Sequence, residues 1–218
     1  MEKERKIKVL SLVALIVAVL GLTVAFAALS QTLTINGTAS VDAAEWDIHF
    51  EEFKDDNPVI INGDGKLDGA PVIQGTTISN LNFELTKPGD SVVYVSIVKN
   101  DGDINAKLED FSTPTLCTLS SPVESCDWDN DGTVTQSDIG KVNDNISFVI
   151  AKSGMGELIK KGDLLNSKDQ MAVMVGLVYG KALYEGDYMG DVLEATELPK
   201  RDLVFKDISV TLNYVQAD

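Results

Sequence analysis

Asp127, Asp129 and Asp131 stand at alternate positions, are followed by Gly132, and are closed seven residues after Asp131 by Asp138. No other stretch is so well equipped for chemistry. The run reads Asp127-Trp128-Asp129-Asn130-Asp131-Gly132-Thr133-Val134-Thr135-Gln136-Ser137-Asp138. A hard divalent cation takes about six to eight oxygens, and a short bent loop can supply them from positions 1, 3, 5, 7, 9 and 12, with glycine at 6 for the sharp turn. Here Asp127, Asp129 and Asp131 would give carboxylates and Thr133 its backbone carbonyl. Thr135 would give a hydroxyl or a bridging water, and Asp138 the closing carboxylate. The expected ion is calcium. Magnesium fits less well, because it dehydrates reluctantly and demands octahedral geometry. The last position holds Asp where Glu is usual, and its shorter reach weakens bidentate closure. The competing reading is an acidic surface turn.

The two cysteines, Cys117 and Cys126, lie just before this loop. In an oxidising compartment such a pair is expected to form a disulfide. The ring is short, so its entropic stabilisation is modest, about 2–3 kcal/mol at most. Its use would be to fix the start of the loop. Two Cys and one distant His do not make a four-ligand zinc set.

The elements that must hold these residues are strands. Apolar and polar residues alternate over Gln31–Ser40, over Trp46-Asp47-Ile48-His49-Phe50-Glu51, and over Leu81–Leu85. Ser91–Lys99 is rich in β-branched residues and reads as the central strand. Asn100-Asp101-Gly102-Asp103 reads as a hairpin turn, with Ile104–Asp110 returning as its partner. The alternation resumes over Asn145–Ala151, Met171–Tyr179 and Asp207–Val215. Residues 51–75 and 181–201 read as loops, and a short helix is expected near Glu157–Lys161. Residues 111–143, with Pro114, Pro122, the cysteines and the acidic loop, read as a loop-rich insertion with one helical turn over Ser137–Val142. The fold class is therefore all-β, a β-sandwich over residues 28–218. The alternation puts His49, the single histidine, on the solvent face, and Trp46 on the core face. Trp128 either packs on a neighbouring strand or the disulfide, or is an exposed contact residue.

An N-terminal apolar helix is expected ahead of the sandwich. Lys3, Arg5, Lys6 and Lys8 precede an uncharged run from Val9 to Leu29. A basic region before an apolar run is an export signal, and Ala25-Phe26-Ala27 offers a cleavage site. The run is also about long enough to span a bilayer as an uncleaved anchor. Residues 1–27 are thus a signal peptide or an anchor, and either reading places the remainder outside the cytoplasm. The formal net charge of −16 disfavours nucleic acid and anionic lipid surfaces as partners. Membrane contact is expected only through the N-terminal segment.

No motif for nucleophilic, metal-hydrolytic or nucleotide chemistry occurs, so the chain is not expected to be an enzyme. Paired carboxylates for a hydrolase remain a third-ranked reading, since the chain has 34 acids and nothing singles out a pair. The first is a structural protein of the cell surface or extracellular matrix, with Ala28–Ser40 either pairing within its own sandwich or serving as a donor strand for other surface proteins or a second copy. The second is a calcium-dependent adhesin or carbohydrate-binding module.

Two resemblances accompany these residues. The leader ending near Ala27, Leu33-Thr34-Ile35-Asn36-Gly37, Trp46-Asp47-Ile48, Lys87-Pro88-Gly89-Asp90-Ser91-Val92, Val98-Lys99-Asn100-Asp101-Gly102 and Asn213-Tyr214-Val215 together resemble the camelysin/TasA-type exported proteins of Gram-positive bacteria. That resemblance implies a jelly-roll-like sandwich, a dedicated signal peptidase and residence at the surface or in a biofilm matrix. Some members are classed as metalloproteases, but this chain has no zinc motif. Asp127–Asp138 resembles the calcium loop of dockerin repeats, with Asp127, Asp129, Asp131 and Asp138 as side-chain ligands. Dockerins use two such loops, and this chain carries one convincing copy.

Overall fold

The computed structural model describes residues 44–54, 58–153, 157–185, 188–193, 195 and 197–217. The leader and the strand expected over Gln31–Ser40 lie outside them. In chain order the strands are β1 (Ile48–Glu52), β2 (Val59–Asn62), β3 (Lys66–Asp68), β4 (Val72–Gln74), β5 (Thr77–Leu85), β6 (Ser91–Asn100) and β7 (Ala106–Phe111). They continue with β8 (Ile146–Lys152), β9 (Leu164–Leu165), β10 (Gln170–Tyr179), β11 (Lys181–Glu185), β12 (Tyr188–Leu193) and β13 (Leu203–Gln216). Two helices, α1 (Val123–Cys126) and α2 (Gln136–Asn145), lie between β7 and β8.

The described residues form an all-β sandwich of two antiparallel sheets, with β11 and β12 as a separate hairpin. One sheet has the order β1-β6-β10-β8, with β2 beside β1 on the same edge of β6. The other has the order β3-β5-β13-β7-β9, with β4 also on β5. The core follows from the period of two. Val92, Tyr94 and Val98 of β6 and Val173, Val175, Leu177 and Tyr179 of β10 are buried. They face Ile78, Leu81, Phe83 and Leu85 of β5 and Phe205, Val210 and Leu212 of β13 in one apolar cluster. As expected, β6 is central to its sheet. In the second sheet β13 holds the middle, pairing with β5 along its first part and β7 along its last.

Several expectations are corrected. Asn100–Asp103 is not a hairpin turn, because β6 and β7 belong to different sheets. The buried Asn100 side chain donates to the carbonyls of Ile104 (2.9 Å) and Leu165 (3.1 Å) and accepts from Gly102 N–H (3.1 Å). Those bonds satisfy the backbone of a crossover from one sheet to the other. Residues 51–75 contain β2, β3 and β4, and residues 181–201 contain the hairpin β11–β12. No helix forms near Glu157–Lys161. Leu158 instead bridges to Ala151 and packs with Met174 on a small cluster of Val149, Ala151, Val178 and Ala182. Trp46 precedes β1 and is 44% exposed, so the core face begins at Ile48.

The insertion differs most from expectation. The expected single turn at Ser137–Val142 is a helix of 10 residues. Cys117, Cys126, Trp128, Ile139 and Val142 belong to the main core cluster. The Ser125 hydroxyl donates to the Val204 carbonyl of β13 at 2.6 Å. Residues 111–143 are thus a built part of the sandwich that closes it between β7 and β8.

Candidate metal centre

Cys117 and Cys126 form the expected disulfide, with Cα atoms 5.8 Å apart, and both are buried. The acidic loop starts at the next residue, so its first position is fixed by a covalent link and by α1. Asp127 is fully buried, and Trp128 beside it is 2% exposed. The Trp128 ring meets Tyr179 of β10 edge-on, with centroids 6.4 Å apart and planes at 76°. Trp128 is therefore a core anchor rather than an exposed contact.

From this anchor the loop turns outward. Asp127 Oδ1 accepts from Asp131 N–H (3.1 Å) and Oδ2 from Gly132 N–H (2.9 Å), while Asp131 Oδ1 accepts from Thr133 N–H (2.8 Å). Asn130 and Gly132 adopt left-handed backbone (φ 59° and 91°). Glycine meets that need without strain at the point where the chain doubles back. The result brings one carboxylate oxygen each from Asp127, Asp129 and Asp131 within 4.8 Å of one another. Oδ1 of Asp129 is buried and has no hydrogen-bond partner. A buried carboxylate oxygen without a donor costs free energy unless something positive meets it. This group can hold a metal ion.

Thr133, Thr135 and Asp138 are placed differently. Thr133 gives its N–H to Asp131. Thr135 caps α2 and Asp138 completes a capping box: Asp138 Oδ2 accepts Thr135 N–H at 2.9 Å and the Thr135 hydroxyl at 2.5 Å. The motif Thr135-x-x-Asp138 carried that signal in the sequence. Asp138 is not part of the 4.8 Å group. Burial raises its pKa, but hydrogen bonds from Thr135 and from the N–H groups of Trp128 and Asp129 outweigh this and hold it below the ordinary value. Asp138 is thus kept ionised, bound to the first turn of the loop through Trp128 and Asp129.

The strap before β13 completes the surroundings. Lys200 N–H donates to the Trp128 carbonyl at 2.9 Å. Lys141 of α2 pairs with Glu197 at 3.1 Å. Arg201 brings Nη1 to 3.9 Å from Asp127 Oδ2. Sequence reading missed Arg201, which lies far from the loop along the chain and carries no local signal.

A second group surrounds His49, which faces outward from β1 as expected. Nδ1 lies 2.8 Å from Asp47 Oδ1 and Nε2 lies 3.5 Å from Glu51 Oε1 and 3.9 Å from Asp101 Oδ2. Lys99 already bridges Asp101 (2.9 Å) and Glu51 (3.5 Å), supplying a cation to this group. Burial lowers the His49 pKa, but the hydrogen bonds and charges of Asp47 and Glu51 outweigh it and the pKa is raised. The group is an ion-pair clasp on an edge strand.

Comparison of the chain with family models, curated proteins and solved structures gives no significant match.

Proposed function

We propose that this chain is an exported structural protein of the cell surface or extracellular matrix, braced by one calcium ion in the Asp127–Asp138 loop. The observation that carries the cation is the unpartnered, buried Oδ1 of Asp129 beside the carboxylates of Asp127 and Asp131. An all-oxygen donor set of this kind suits a hard cation and not zinc or copper. Asp127, Asp129 and Asp131 would hold the ion with the Thr133 carbonyl. Thr135 and Asp138, which bond to each other in the structure, would complete the set only by opening that bond, and water would otherwise take their places. The ion would offset the repulsion of three close carboxylates. The chain's own part is to hold Asp127 rigid through the disulfide and the buried Trp128. The export reading rests on the basic and apolar leader, and the jelly-roll form on the camelysin/TasA resemblance. Assembly through Ala28–Ser40 belongs to the same reading.

Thermal unfolding in millimolar calcium and in chelator tests the cation. Saturation at about 100 times Kd adds about 2.7 kcal/mol, a rise of roughly 5–10 °C for a domain of this size. Asp131→Ala is expected to lose that rise. Equal melting of the wild type with and without calcium removes the claim. Mass spectrometry of secreted, envelope and cytoplasmic fractions tests location, and an intact leader on cytoplasmic protein counts against export.

A calcium-dependent carbohydrate binder is the second reading. It is favoured by a cleft of about 510 Å³ between the insertion and β13, lined by hydroxyls including Ser112, Thr113, Thr115, Ser121 and Ser209. Chelator-sensitive retention on a glycan array supports it, and calcium-independent or absent retention removes it.

A further inference from the structure

We propose that Arg201 is a resident counter-cation of the Asp127, Asp129 and Asp131 carboxylates, and that the loop's cation affinity is set by competition between its guanidinium and the ion. This rests on the reading of the loop as a cation site.

The placement of Arg201 is what points to competition. Its Nη1 stands 3.9 Å from Asp127 Oδ2, beyond hydrogen-bond distance but well inside the range of an unscreened charge. Asp127 is fully buried while the Arg201 side chain is 29% exposed, so water shields the pair only from one side. An arginine built for a structural ion pair uses its planar fork on both carboxylate oxygens. Arg201 does not: its Nε is buried without a hydrogen-bond partner. Both oxygens of Asp127 are already taken up by Asp131 and Gly132 N–H groups. The strap that carries Arg201 is tied to the loop, since the neighbouring Lys200 N–H is bonded to the Trp128 carbonyl.

A fixed positive charge here has two opposite effects. With no ion bound, it offsets part of the mutual repulsion of the three carboxylates and stabilises the loop. When an ion arrives, the same charge repels it, and the penalty grows in proportion to the ion's own charge. Arg201 thereby lowers the affinity and narrows the difference in stability between the empty and filled loop. Removing the charge reverses both effects.

The test titrates calcium and terbium into the whole chain as wild type, R201Q, R201M and R201K. Trp128, at the second position of the loop, serves as the sensitiser of terbium emission, and calcium is read by calorimetry. R201Q and R201M are expected to bind calcium about tenfold more tightly and terbium about thirtyfold more tightly, because the repulsion scales with ion charge. R201K is expected to stay within about threefold of wild type. In chelator R201Q melts below wild type, and saturating calcium closes the gap. R201M keeps the aliphatic stem, so the comparison stands if R201Q does not fold. Unchanged or weaker binding by both neutral variants, or the same factor for both ions, overturns the competition and leaves the site reading intact. Binding of neither ion by any of the four proteins overturns the site reading and the proposal with it.

Discussion

Trp128→Ala lowers the unfolding free energy by about 3–5 kcal/mol, the cost of deleting a large aromatic side chain from a packed core. Domains are stable by only about 5–15 kcal/mol in total, so this change removes a large share. Trp128 is 2% exposed and packs edge-on to Tyr179, and its neighbours on either side are the first and third positions of the acidic loop. The cavity therefore opens directly beneath the carboxylates. On the proposed reading of the loop as a calcium site, affinity is expected to fall together with stability, since Asp127 and Asp129 lose the wedge that holds them. Denaturant unfolding followed by far-ultraviolet dichroism measures the first effect and calorimetry the second. Trp46→Ala is the control: Trp46 is 44% exposed, and its loss is expected to cost less than about 0.5 kcal/mol. Equal, small effects of both substitutions would show that the Trp128 ring is not part of the core.

Asp90→Ala is expected to cost about 3 kcal/mol, because it strips a buried ionised acceptor from several donors at once. Asp90 is fully buried. Its Oδ1 accepts Asp64 N–H (3.0 Å), and its Oδ2 accepts Thr86 N–H (2.9 Å), the Thr86 hydroxyl (2.8 Å) and Lys87 N–H (3.0 Å). One carboxylate thus ties the β5–β6 arch to the turn between β2 and β3. Gly63 in that turn has φ 77°, and a Cβ there would come within 2.1 Å of Asp90 Oδ1, so only glycine lets the turn come this close to the carboxylate. Burial raises the Asp90 pKa, but the hydrogen bonds outweigh it and the pKa lies below the ordinary 3.8. The sign follows: the bonded carboxylate stabilises the fold fully above the unfolded value, and this contribution fades as pH falls through the lower folded value. The stability difference between wild type and Asp90→Ala is therefore constant near neutrality and narrows below about pH 4. A difference that widens on acidification would assign the stabilisation to another group.

The long strands were legible because their cores obey a period of two. Val173, Val175, Leu177 and Tyr179 are all buried on one face, as their spacing requires. The short strands were not. β2, β3 and β4 hold only four, three and three residues, and their Asn, Asp and Gly neighbours carry turn chemistry. They are strands because β5 and β6 offer edges to pair with. The Asp101-Gly102 signal marked a break between two strands but was misleading about pairing, since it contained nothing about which sheet the next strand would join. Local spacing brought out Asp127, Asp129 and Asp131 as a group. It could not show that Trp128 points inward, which depends on Tyr179, nor that Arg201 arrives from the strap before β13. Thr135 and Asp138 carried two compatible signals, a cation loop and a helix cap. In the structure their side chains bond to each other.

The position of β13 bears on when the chain can fold. This strand lies between β5 and β7, so the second sheet is split in two until residues as far as Gln216 have been made. The core faces of β5 and β7 cannot close over β6 and β10 before then. Local pieces form early: the disulfide spans a sequence separation of 9, and α2 begins with its own capping box. The sandwich itself waits for contacts between distant parts of the chain, which form slowly. The last strand to be made is thus the one that closes the second sheet, and a chain cut short before β13 is expected to leave β5 and β7 as separate edges.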